Sequence, residues 1–301
     1  MSWDHRLPTL SASQALENSL TANKLSTGIA LLDEKLGGGL APGHISEFCG
    51  PPGSGKTAIA LQLTLDSVNS GFRTVWIDTA SPLPTSRLVT LFKNDESKLD
   101  LINVYHAPTV VSLISLQNGL KKAFSSSSAR LVVIDNLSIP FALAFPISTS
   151  SFKDVKGKFN IDPHASSRLR ITNDLMTSLL SIAAKNNLSV VLLNQMVTKV
   201  VAGSAGDNLS SFCTHRVMLY RRQVVDGYGI SDGRFACISK TLDGTDHSPI
   251  PFVITDTGLG DLVIPPCPPP RKRKRGGATQ SEDDDWSTDE DAEISKKYLD
   301  D

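Results

Sequence analysis

Eight residues, Gly50-Pro51-Pro52-Gly53-Ser54-Gly55-Lys56-Thr57, constrain this chain more than any other stretch. They satisfy G-x-x-x-x-G-K-[ST] at every fixed position, and each fixed residue has a physical reason. The glycines let the backbone curl so that successive N–H groups point inward at phosphate oxygens. Lys56 would bring an ammonium to β- and γ-phosphates, and the Thr57 hydroxyl would be a ligand for Mg²⁺. A helix starting here aims the positive end of its dipole at the same phosphates. At average residue usage the pattern arises by chance in roughly one chain in a hundred of this length, so context decides. The segment 44–49 reads as a short strand, and 58–63 opens an apolar helical pattern. Strand, glycine-rich loop and helix stand in the required order, which a plain Gly/Pro turn would not need.

Length suggests one sizeable domain, or one domain with tails. The formal net charge of −1 gives no global field for nucleic acid, so any such surface must be local. A hydrophobic content of 40% suits a packed core. The first residues carry no continuous apolar run of the secretory kind. The longest apolar stretch, 131–147, is broken by Asp135, Asn136, Pro140 and Pro146, so no membrane partner is expected. Four well-separated cysteines, Cys49, Cys213, Cys237 and Cys267, fit reduced thiols better than a zinc site or a disulfide framework.

Along the chain, residues 1–22 form a short polar segment, 23–264 an α/β core, and 265–301 a Pro-rich, basic and then acidic tail. Thr27 can cap a short helix whose apolar face includes Ile29, Leu32 and Leu36 and which the triplet at 37–39 stops. Strands are expected at 73–78, 101–106, 131–135 and 189–195, with helices at 85–92, 110–124 and 165–185. That alternation implies a mostly parallel, doubly wound sheet. Two long gaps, 136–164 and 196–212, interrupt it where such sheets bind ligands. Short antiparallel strands at 214–222, 234–240 and 252–255 close the sheet. The tail, with Arg271-Lys272-Arg273-Lys274-Arg275 ahead of Asp283-Asp284-Asp285, cannot bury enough apolar area to offset its ordering entropy. Its basic run suits nuclear import or is simply a solvated charge run.

Asp135 ends an apolar strand, where a Mg²⁺-holding carboxylate belongs opposite Thr57; a turn or capping Asp is the bland alternative. Asn194-Gln195 end the next strand, where Gln195 can sense a γ-phosphate and pass its state to the following loop. By itself that dipeptide means little.

Taken in order, these pieces resemble the RecA/RadA recombinase family, especially its eukaryotic recombinases and their paralogues. The resemblance runs from Leu25 to Leu262. It rests on Leu25-Ser26-Thr27-Gly28, Trp76-Ile77-Asp78-Thr79, Val132-Val133-Ile134-Asp135, Val191-Leu192-Leu193-Asn194-Gln195, Thr214-His215-Arg216-Val217 and the closing Phe252–Asp261. It implies a RecA-like P-loop ATPase core with ATP and Mg²⁺ as cofactors. Gly50, Pro51, Pro52, Gly53, Ser54, Gly55, Lys56 and Thr57 look like the nucleotide cradle, and Thr57 and Asp135 like the metal residues. Lys56, Asp135 and Gln195 look like the catalytic set, and Arg87 like the arginine that stacks on adenine. The long loops look like DNA-contacting loops, and 243–251 lies where a neighbouring subunit caps ATP.

One departure stands inside the motif. Where active recombinases follow Trp76-Ile77-Asp78-Thr79 with a water-polarising Glu, this chain has Ala80, and methyl cannot accept a proton. No helix–hairpin–helix domain or Phe-x-x-Ala hook is recognisable before the core. Phe141-Ala142-Leu143-Ala144 spells the hook inside the first long loop and reads as coincidence. The expectation is a paralogue that assists a recombinase, nuclear and hetero-oligomeric, with another paralogue, the main recombinase and single-stranded DNA as partners. The alternative is a self-sufficient DNA-dependent ATPase carrying out strand exchange. Lys153, Lys156, Lys158, Arg168, Arg170 and Lys199, with Phe152 and Phe159 for base stacking, are the candidate DNA contacts, a solvated loop being the alternative.

Overall fold

The apolar strands and amphipathic helices expected from the sequence alternate in a computed structural model that describes residues 11–14, 17, 22–123, 128–146, 165–195, 208–226, 229–241 and 244–262. The chain divides into units 1–265 and 266–301, and the second lies outside the described residues. A short helix α1 (Ala30–Lys35) precedes β1 (Ile45–Gly50) and α2 (Lys56–Asn69). Then come β2 (Arg73–Asp78), α3 (Thr85–Leu91), a 3₁₀ segment (Glu96–Leu101), β3 (Ile102–His106) and α4 (Val110–Ala123). The second half holds β4 (Ala129–Asp135), α5 (Ser138–Ala144), α6 (Ala165–Asn186), β5 (Ser189–Gln195) and α7 (Asn208–Phe212). It closes with β6 (His215–Asp226), β7 (Gly229–Lys240), β8 (Asp246–Thr255) and β9 (Gly258–Asp261).

These strands form one sheet in the order β3-β2-β4-β5-β1-β6-β7-β8-β9, parallel from β3 to β6 and antiparallel beyond. Alternation along each strand sends neighbours to opposite faces, and in β1, β2, β4 and β5 both faces are covered, which is why these strands read as apolar runs, whereas the edge strand β3 is largely exposed. Phe48, Trp76, Val133 and Leu193 meet Ile59 and Leu63 of α2 in one core. Ile45, Ile77, Ile134 and Leu192 meet Leu113 of α4 and Leu175 and Leu179 of α6 in the other.

Four details differ from the sequence expectation. The gap after Asp135 begins with helix α5, and the second gap ends with α7; both are too short to show a period. β6 pairs in parallel with β1 and only then antiparallel with β7, and their pairing runs to Asp226↔Gly229, well past the expected ends. The charged stretch Arg221–Asp226 hid that extension. β8 begins at Asp246 and not at the expected 252, so it takes in much of the segment 243–251.

Thr27 is the fourth. It does not cap α1; Ile29 holds that position without a side-chain bond. The Thr27 N–H and hydroxyl both donate to Asp33 Oδ1 (2.9 and 2.6 Å), and Ser26 Oγ donates to Asp33 Oδ2 (2.6 Å). The first amides of α1, those of Ala30 and Leu31, donate instead to the carboxylate of Asp261 at 3.1 and 3.4 Å. The cap comes from the last strand, so no local rule could find it. Asp261→Ala is expected to lower the unfolding free energy by about 1 kcal/mol, read from urea melts, and Asp261→Asn, which keeps an acceptor, to lose less.

Candidate nucleotide-binding site

The loop between β1 and α2 has the glycine geometry that its motif demands. Gly55 adopts φ 110°, in the left-handed region that L side chains rarely occupy. A Cβ at Gly50 would lie 2.1 Å from the Leu219 carbonyl oxygen and 2.8 Å from Ser54 Oγ, so no side chain fits there. Ser54 is fully buried and its hydroxyl has no hydrogen-bond partner among the described residues. Lys56 folds its ammonium over the loop and donates to the carbonyls of Gly50 and Pro51, each at 2.9 Å. Burial pulls the Lys56 pKa below its usual value, opposed by the charge of Asp135 and then by Cys49. Pro51, Pro52 and Gly53 form the exposed tip.

Strand register brings the other residues to the same edge. Asp78 is the cross-strand partner of Asp135, Asp135 of Leu193, and Gln195 of Gly50. Thr57, in the first turn of α2, donates its hydroxyl to Asp135 Oδ2 at 3.1 Å. Burial raises the Asp135 pKa and neighbouring Asp78 raises it further, while the Thr57 hydrogen bond and Lys56 pull it down. A hydroxyl and a carboxylate are the hard oxygen donors that Mg²⁺ uses beside phosphates and water. The orphaned Ser54 hydroxyl, the loop curl and this donor pair fit a Mg²⁺–nucleotide. Lys56 and the loop amides would hold its phosphates, and the metal, held by Thr57 and Asp135, would supply charge neutralisation.

Other expected residues are more dispersed. Gln195 is exposed and its N–H donates to Ser138 Oγ at 3.4 Å, which links it to α5. Its neighbour Asn194 is buried and donates to Glu47 Oε1 at 2.7 Å. Arg87 donates to the Thr255 carbonyl at 3.1 Å, which places its guanidinium at the end of β8. Arg168 and Arg170 lie in the first turns of α6; Phe152, Lys153, Lys156, Lys158, Phe159 and Lys199 lie outside the described residues. Phe141 is buried in the chain's own second core, so it is not free to act as a hook.

Ala80 is exposed just beyond β2. The sequence reading overlooked a pair beside it: His106, ending β3, is hydrogen-bonded through Nδ1 to the buried Asp78 carboxylate. The signal was a polar residue at the end of each of two adjacent strands.

The raised pKa of Asp135 has a definite sign. A carboxylate whose folded pKa lies above its unfolded value costs stability when ionised, and the cost fades as pH falls toward the ordinary carboxylate range. Asp135→Asn is therefore expected to melt no lower than wild type at neutral pH without nucleotide. The same variant should lose the thermal shift that ATP with Mg²⁺ produces, measured by differential scanning fluorimetry.

Comparison with known proteins places this geometry. Residues 20–210 match the Rad51 family model. The chain is 35% identical over 180 residues to the DNA repair protein rhp55 of Schizosaccharomyces pombe, covering 55% of this chain and 51% of that protein. It is 27% identical to the DNA repair protein RAD51 homolog 3 of Cricetulus griseus, over 84% of this chain and 72% of the relative. It is 31% identical to the DNA repair and recombination protein RadB of Thermococcus kodakarensis, over 57% of this chain and 70% of the relative. The chain thus spans about half the length of the fission yeast relative. Among solved structures, the RadB recombinase matches with a TM-score of 0.57 and 27% identity, over 79% of this chain and 100% of that one. With a RecA-like sheet, a loop that satisfies G-x-x-x-x-G-K-[ST] and a family match covering more than half its length, this chain belongs to the Rad51 family of recombinases and their paralogues.

Proposed function

We propose that this chain is an ATP-binding recombinase paralogue that serves DNA double-strand break repair by homologous recombination. It binds single-stranded DNA and assists or stabilises the filament of the main recombinase, in a hetero-oligomer with another recombinase paralogue. The carrying observation is an imbalance at the site. Lys56, Thr57 and Asp135 stand together at the loop, whereas the water-polarising position holds Ala80. Such a site keeps its nucleotide and turns it over slowly, so ATP acts mainly as a conformational ligand through its γ-phosphate. The names of the relatives support the setting in DNA repair. Gln195, opposite Gly50 and linked to α5, is the residue through which the nucleotide state reaches the long loops. Arg87 serves the adenine, and the basic residues of the two long connections serve the DNA backbone. The run 271–275 serves nuclear import.

Purified protein with single-stranded DNA is expected to bind ATP and hydrolyse it far more slowly than a complete recombinase. Turnover at the level of a full recombinase would favour the strand-exchange reading and sink the accessory one. Ala80→Glu is expected to raise turnover by about tenfold or more, a part of the ~10²–10⁴ that a positioned base contributes; phosphate release measures it. Lys56→Arg should weaken nucleotide binding and repair together, because a fork replaces a point charge in a tight cradle. Unimpaired repair in cells carrying only that variant would show that the nucleotide is dispensable.

A further inference from the structure

The ribbon made by β6 and β7 sets two arginines beside the phosphate loop. β6 follows β1 in parallel only from His215 to Met218, and Leu219 lies against Gly50 at the end of β1, so the residues after Leu219 continue past that end, to the height of the loop. Leu219 and Ala236 are cross-strand partners buried in the core that α2 covers. Two residues further along the same face stand Arg221 and Arg234, directly opposite one another. The loop lies against them. A Cβ at Gly53 would sit 3.7 Å from Arg221 Nη1, and one at Gly55 would sit 3.2 Å from the ring of Phe252. Phe252 is in turn the cross-strand partner of Arg234.

The charges on this wall do not balance. Like charges placed directly opposite repel, and one carboxylate, Asp232, is ion-paired with Arg221 through Nη2. Among the described residues, Arg234 Nε is buried with no hydrogen-bond partner. Two guanidiniums against one carboxylate among those residues leave a positive charge and an unfilled donor at the loop's flank. The Arg221 side chain is 46% exposed, so its ion pair is of the kind that contributes little and exchanges readily. A guanidinium also matches phosphate oxygens with parallel donors, in a way an ammonium cannot.

We propose that Arg221, backed by Arg234, is a phosphate-binding residue of the nucleotide site. Its guanidinium leaves Asp232 for the phosphate chain of the nucleotide held by Gly50–Thr57. Lys56 addresses those phosphates from the helix side of the loop and Arg221 from the flank of its tip, within one chain. The inference rests on the nucleotide-binding reading above. Asp232 acts as the competing anion that occupies Arg221 when no nucleotide is bound.

The test is a titration of the full-length chain with a fluorescent ATP analogue and Mg²⁺, competed with ATP and with ADP. Wild type, Lys56→Ala, Arg221→Ala, Arg221→Gln and Asp232→Asn are compared, each checked for its nucleotide-free melting temperature. Losing one charge-assisted contact should weaken binding by about tenfold in both Arg221 variants. Asp232→Asn, by freeing the arginine, should bind more tightly than wild type. That opposite sign is the signature, since a pair that merely holds the ribbon would make both sides behave alike. If wild type binds and Lys56→Ala does not, but the Arg221 variants match wild type, this inference falls and the nucleotide reading stands. If wild type itself binds no nucleotide, the reading beneath it falls. Should an Arg221 variant fail to fold, Asp232→Asn decides alone: binding no tighter than wild type in that variant overturns the proposal.

Discussion

Everything at the site depends on where β1 runs. It is buried on both faces and flanked in parallel by β5 and β6, so its carboxyl end is fixed at the level of the neighbouring strand ends. The chain must then turn within a few residues into α2, whose Ile59 and Leu63 are committed to the core beneath. The loop between those anchors has little freedom left, and what remains is removed by the Leu219 carbonyl against Gly50 and the Phe252 ring against Gly55. Parallel pairing does the rest: it delivers Asp78, Asp135 and Gln195 to the same edge with no dedicated supporting structure.

The electrostatics of that edge follow from its depth. Burial lifts the Asp135 pKa and lowers that of Lys56, so each group is held in an environment that resists its own charge. They relieve one another in part, and Thr57 contributes a hydrogen bond. A site of this kind is completed by an anion and a cation arriving together, which is what a metal-bound triphosphate provides. Asp78, the second carboxylate at this edge, is satisfied by His106. Both strand-end carboxylates therefore have partners, and in both cases the partner comes from a neighbouring element.

The sequence revealed the parallel core because runs such as Leu131–Asp135 and Ser189–Gln195 are apolar on both faces and polar only at their ends. It also singled out the glycine-rich loop and Asp135 at the end of such a run, and the structure brings Thr57 and Asp135 into hydrogen-bond contact. What it missed depended on contacts remote in the chain or on elements too short to show a period. Helix α5 spans only Ser138–Ala144. The Asp261 cap of α1 joins opposite ends of the core. The long β6–β7 pairing ran through Arg221–Asp226, where charge masks alternation. Arg221 itself became noticeable only once the ribbon had carried it to Gly53.

The contrast between Gly50 and Ala80 bears on how such a chain can drift after duplication. Gly50 is wedged against a carbonyl oxygen at 2.1 Å from any added methyl, so replacing it disturbs the middle of the sheet. Ala80 is exposed beyond β2 and a side chain there can shrink without leaving a cavity. A side chain at position 80 can therefore change by a step that costs the fold little. A side chain at Gly50 meets backbone that cannot give way. Packing thus holds the start of the loop in place and leaves position 80 free to vary.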